Sequence, residues 1–191
     1  MPLLGKLSES YQTMRQRSFA RPYEKLRGVR RRLRALDRWS NSFAEYFPED
    51  VSSERCWHCR IAVLDRLVNP PTTSRAIQRH AAGAMLKAAE SILRAKPVAS
   101  SDHIVEANLS FPEMFGSDLL VFRNEQQRTN FYDRNQNGVA LTMIEGRMLS
   151  DRLDFSVPAL LKETGWLYRE EGTWDGEPYS FEEEWWSYTE Q

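Results

Sequence analysis

Two short patterns in the chain combine residue types and spacings that could do chemistry. The first is Cys56-x-x-Cys59, with His58 between the thiols. A structural zinc centre needs four ligands, commonly two such knuckles or one knuckle and two histidines at short spacing. Here there is one knuckle, and His80 and His103 lie far off in sequence. A redox pair needs its first cysteine at a helix N-terminus, whereas residues 55–64 alternate as a strand does. The second pattern is Asp133-x-Asn135-x-Asn137-Gly138, the opening of a calcium loop. The bidentate glutamate that should close such a loop falls on Ile144, and Glu145 comes one residue late. A helix end followed by an Asn-Gly turn accounts for the same residues. No metal and no cofactor is therefore expected.

Acid–base or nucleophilic catalysis finds little support. The chain has no G-x-S-x-G elbow, no H-E-x-x-H, no phosphate loop and no G-x-G-x-x-G. The three histidines stand at no spacing that forces convergence, so no catalytic residue is named. If the chain is an enzyme, a hydrolytic or nucleic-acid-processing one, its site is expected near His58, Arg60 and His103.

Charge gives a stronger signal. The net charge of the 191 residues is -1, so the molecule as a whole is no polycation. Yet residues 1–38 carry 11 Lys/Arg against 3 Asp/Glu, and residues 163–191 carry 9 Asp/Glu against one Arg. Such asymmetry points to an interaction surface, or to two ends that attract each other. At 100° per residue Arg27, Arg30, Arg31, Arg34 and Arg38 form a stripe. It reads as a solvated helix face or, alternatively, as a nucleic-acid contact. In the acidic segment eight aromatic residues fall among the carboxylates. On a strand, Phe181 and Trp185 share one face; Glu182, Glu184, Trp186 and Tyr188 share the other. The first face suits a core. The second, with Trp174 nearby, suits an exposed, negatively charged surface for a protein partner, because Trp and Tyr are common interface anchors.

The elements that must hold these residues follow from periodicity. Residues 1–21 read as an arm and 22–191 as one α+β domain. From Pro22, the apolar residues Leu26, Val29, Leu33, Leu36, Phe43 and Phe47 predict a long amphipathic helix, stopped by Pro48. Residues 55–64 predict a strand with Trp57, Cys59, Ile61 and Val63 on one side, His58 and Arg60 on the other. A helix follows to about Lys96, capped by Thr72, Thr73 or Ser74 and burying Ile77, Ala81, Ala84, Met85, Ala88 and Ile92. Strands are predicted at 103–109 and 117–122 and a polar helix at 124–135. One or two short helices fall within 146–164, with Gly165 as a helix stop. A terminal hairpin has arms at 166–170 and 178–188 around Asp175-Gly176. The mixed order predicts α+β, with helices packed on a mainly antiparallel sheet. No apolar run reaches the roughly 18 residues a membrane span needs, and no signal peptide is evident. The expected location is cytoplasmic.

Leu26-Arg27-Gly28-x-x-Arg31-Arg32, Trp39, Phe43, Phe47-Pro48, Trp57-His58, Asn69-Pro70-Pro71, Lys96-Pro97 and Phe131-Tyr132-Asp133-Arg134 together resemble an uncharacterised bacterial family of unknown function. The likeness covers about residues 22–188 and rests on scattered positions. It carries over no activity and no site residue. It implies a single-domain bacterial protein, of a kind in part encoded beside secreted toxins. With the charge pattern, this yields the functional expectation: an immunity protein that binds and neutralises a cognate toxin. Neither a membrane, a nucleic acid nor a small-molecule cofactor is expected as partner.

Overall fold

The computed structural model describes residues 28–63, 67–68, 74–97, 102–112, 116–135, 140–174 and 176–189. Its elements are α1 (Val29–Asn41), β1 (Trp57–Ala62), α2 (Arg75–Arg94), β2 (Ile104–Pro112), β3 (Gly116–Phe122), α3 (Glu125–Asn135), β4 (Ala140–Met143), α4 (Leu149–Leu153), β5 (Leu161–Trp174) and β6 (Glu177–Tyr188). The strands form one antiparallel sheet in the order β1-β3-β2-β6-β5-β4. The fold is α+β, as the sequence predicts. The arm at 1–21 lies outside the described residues, as do Arg27 and the Asn137-Gly138 turn.

Both faces of the sheet are covered. On the first, Ile61, Ala107, Leu109, Leu119, Val121 and Trp186 meet the apolar sides of α1, α2 and α4 in the main core. The alternation read for β1 holds: Ile61 and Cys59 are buried there, while His58 is exposed on the other side. All six positions predicted to face inward from α2 are buried. Its small alanines let the helix lie close to the sheet. On the second face Leu120, Phe122 and Trp185 form a smaller cluster with Phe131 and Tyr132 of α3.

Three expectations need correction. The helix expected from Pro22 is described from Val29, residues 22–27 lying outside the described residues, and it ends earlier than its periodicity suggests. Gly28 caps it at φ 86 instead of continuing the helix. At the other end the hydroxyls of Ser40 and Ser42 donate to the carbonyls of Asp37 and Trp39, the local competition that makes serine a poor helix continuer. Phe43 and Phe47 therefore pack from a loop, Phe43 edge-on to Trp39 and Phe47 near Trp57. Second, Leu161 to Gly165 belong to β5. Gly165 does take a positive φ of 76, but in a bulge, not a helix stop. There the register shifts between Glu163 and Leu167, and the Thr164 hydroxyl donates to the Trp185 carbonyl at 2.8 Å. Strand β4 was not anticipated.

The third correction concerns the terminal hairpin. Its parity is as read, with Trp185 and Trp186 on opposite faces, but neither face is open. Strand β6 lies inside the sheet between β2 and β5. Trp186 is 0% exposed and Trp185 5%. Phe155 meets the first edge-on, and Tyr132 the second. Trp186→Ala and Trp185→Ala should each lower the unfolding free energy by about 3–5 kcal/mol, as other large-to-small core changes do. Denaturant titration followed by far-ultraviolet circular dichroism checks this. A loss below about 1 kcal/mol for Trp186→Ala would contradict the burial described.

Candidate functional site

Three places concentrate chemically capable side chains. The first is the second face of the sheet. Strand β2 reads Glu106, Asn108, Ser110 at a spacing of two, a polar row on one face. Its neighbours bring Asp118 from β3, His58 and Arg60 from β1, and Glu183 from β6 level with it. His58 Nε2 donates to Asp118 Oδ1 at 2.7 Å, and Arg60 pairs with Oδ2. The Asp118 amide N–H donates to Asn108 Oδ1 at 2.7 Å. Burial works against charge on Asp118, but the hydrogen bond from His58 and the charge of Arg60 outweigh it. The carboxyl is held below its usual range.

Glu183 has the opposite fate. Ser110 Oγ and Trp185 Nε1 donate to its two oxygens at 3.0 and 3.2 Å. Burial dominates, the nearby charge of Asp118 adds to it, and the carboxyl is pushed up to about 7. Further along, buried Glu106 accepts from Arg128 Nε at 2.7 Å and from the Tyr132 hydroxyl, which ties α3 to the sheet. Of the residues expected around an enzymatic site, His58 and Arg60 therefore converge on Asp118. His103 does not join them. It precedes β2, about 10 Å along the strand from Glu106, which stands level with His58. Asp118, Glu183, Ser110 and Glu106 were missed. The available signal was the period-two polar row on β2.

The second place is the acidic hairpin, expected to be an exposed contact surface. The structure turns most of it inward. Glu184 is 1% exposed, and its two oxygens accept the backbone N–H and the hydroxyl of Ser150 at 2.8 Å each. It thereby satisfies an orphan donor in the first turn of α4. Glu182 takes up Arg152 and Arg169. Burial pushes its carboxyl up, but the hydrogen bonds from the two arginines prevail and hold it below the usual range. Tyr188 is half-buried with Lys96 Nζ 4.9 Å over its ring. Trp186 is core. The Trp174 side chain lies outside the described residues. Glu184 and Trp186 are thus corrected from partner-facing to buried positions.

The third place is α1 and the groove beside it. Arg30, Arg31, Arg34 and Arg38 are exposed, and none has an ion pair or side-chain hydrogen bond among the described residues. Between α1 and α2 runs an open groove of about 400 Å³. Leu33, Ala84 and Phe155 supply its apolar floor. The pairs His80–Asp37 and Arg79–Asp154, each 2.7 Å, stand on its rim. Gly83 lies in this groove in the middle of α2. Its φ is not positive, and a Cβ there would meet no described residue within 4 Å. An interior helix glycine costs about 1 kcal/mol relative to alanine, and nothing described in the fold requires it.

The two cysteines cannot share a metal. Cys59 lies in the main core and Cys56 packs against the cluster on the opposite face. Burial, with the charges of Glu45 and Asp118, pushes the Cys59 thiol up to about 12, far from a reactive thiolate. No helix among the described residues is long and apolar enough to cross a membrane.

The state of Glu183 leads to a pH prediction. The group holds its proton more tightly in the folded chain, near pH 7, than at its ordinary value of 4.5. Its contribution is fully present below about 4.5 and is lost as pH rises through 7, so stability should fall across that window. The loss should be on the order of 3 kcal/mol. Asp118, with its lowered value, weakens the fold only at more acid pH. Glu183→Gln should flatten the decline between pH 5 and 8 in denaturant titrations at stepped pH. An unchanged slope would rule out Glu183 as its source.

A family model described as "Protein of unknown function (DUF3916)" matches residues 37–190. No curated protein matches the chain, and no solved structure does.

Proposed function

The chain belongs to this family of unknown function, and we propose that it is an interaction protein whose working surface is the cationic side of α1. The observation that carries the reading is the unequal fate of the two charge blocks. The glutamates 182–184 of β6 are consumed inside the fold, by Arg152 and Arg169, by Ser110 and Trp185, and by Ser150. Four arginines of α1 are exposed and meet no carboxylate among the described residues. Concentrated charge of one sign raises the encounter rate with an oppositely charged partner and selects against like-charged ones. The partner is therefore anionic where it meets α1. The toxin-neutralising role extends this reading with the gene neighbourhood that the sequence resemblance implies.

A second reading has one observation in its favour. Asp118 orients both His58 and Arg60 while His58 stays exposed, an arrangement that serves a hydrolytic or nucleic-acid-processing centre. Hydrolysis of ester or phosphodiester substrates that His58→Ala abolishes would favour it.

Arg30→Glu with Arg34→Glu should leave stability within about 0.5 kcal/mol, because both side chains are exposed and unpaired among the described residues. The same pair of changes should slow association with the product of the adjacent gene about tenfold or more at low salt, with a smaller effect as salt rises. Stopped-flow association rates at several salt concentrations measure it. Equal rates for both proteins would exclude α1 as the contact surface.

A further inference from the structure

We propose that the groove between α1 and α2 is the docking site for an acidic amphipathic helix of a partner protein. The inference rests on the reading of α1 as the working surface and identifies what sits beside the arginines. The groove is long enough for a short helix. Along α2 its lining runs from Ala76 to Lys87, about 16 Å or three helical turns. Its floor is apolar, so the occupant must supply apolar side chains on one face. A phosphodiester backbone has none, which favours a protein over a nucleic acid.

The rim sets the sign of the occupant's charge. Arg79 and Lys87 line the groove on α2. Arg30 and Arg34 flank it on α1, within about 60° of Asp37 around the helix. Arg30 and Arg34 supply the surplus, because the lining itself is balanced, Arg79 and Lys87 against two carboxylates, Asp37 and Asp154. Those two are already paired, with His80 and Arg79, and among the described residues Lys87 bonds the neutral Asn41. The surplus is positive and matches glutamates or aspartates beside the occupant's apolar stripe, the arrangement of helix-in-groove recognition.

Gly83 is the second, independent observation. It weakens α2 without a backbone or packing requirement among the described residues, and a Cβ there would meet none of them within 4 Å beside the groove. Gly83→Leu should therefore stabilise the helix while obstructing the seat, which separates loss of binding from loss of structure.

The test uses the full chain and a fluorescein-labelled helical peptide with leucines at i, i+3, i+4 and i+7 and glutamates elsewhere. A scrambled peptide of equal charge and a short duplex DNA serve as comparisons, all read by anisotropy at about physiological salt. The patterned peptide should bind about tenfold or more tightly than the scrambled one. Gly83→Leu, with a melting midpoint no lower than the parent, should weaken it about tenfold, and Arg30→Glu with Arg34→Glu similarly. No measurable binding, or equal binding of both peptides, overturns the proposal. Loss with the arginine changes but not with Gly83→Leu overturns the groove and leaves α1 as the contact surface. Tighter binding of the duplex than of either peptide, lost with the arginine changes, overturns both. Self-association by sedimentation that Gly83→Leu abolishes assigns the groove to a second copy and also overturns it.

Discussion

Two adjacent tryptophans on an inner strand constrain everything around them. Side chains of successive strand residues point to opposite faces, so Trp185 and Trp186 can both leave water only if the sheet is covered twice. On one side α1, α2 and α4 close over Trp186; on the other α3 closes over Trp185 with Tyr132 edge-on at 5.9 Å. A sheet with one wet face would have left one indole exposed, at a cost on the order of 2–3 kcal/mol of lost burial. The polar residues of the second face follow from the same constraint. Once α3 is held there by Glu106, Arg128 and Tyr132, neighbouring strand positions lose water too, and each carboxylate must find a partner or a proton.

The three consecutive glutamates of β6 show how position, not residue type, decides that outcome. Glu182 is charged between two arginines, Glu184 caps α4 from across the core, and Glu183 meets two neutral donors and another carboxylate. Sequence reads Glu182 and Glu184 as part of an exposed acidic surface. Arg152 stands thirty residues back with no local pattern tying it to Glu182, whereas Arg169 lies opposite Glu182 in the register that the Asp175-Gly176 turn sets. The arginines of α1 have the opposite history: their stripe was legible from spacing alone, because the surface of a helix is a local property.

The same division runs through the fold. The alternation of β1, the buried side of α2 and the parity of β6 were legible, since each depends on residues within one element. What was not legible depends on a neighbour. The stretch 155–165 has apolar residues that suit a short helix or a strand, and Gly165 supplies the positive φ that either a helix stop or a bulge requires. Pairing with Glu163↔Trp186 and Leu161↔Tyr188 decides for the strand. A hairpin signal likewise says nothing of whether a further strand lies beyond it, and β2 on the far side of β6 is what makes the interior strand interior.

That placement bears on how the molecule is made. Strands β1, β3 and β2 can pair as soon as residue 122 exists, and β4 with β5 some fifty residues later, but only β6 joins the two halves. During vectorial synthesis the two halves of the described sheet cannot be joined until β6 clears the ribosome. Unpaired edges are templates for pairing with other chains. The interval before Tyr188 emerges is the window in which this polypeptide is most exposed to misassembly, and a stalled or truncated message would leave it there.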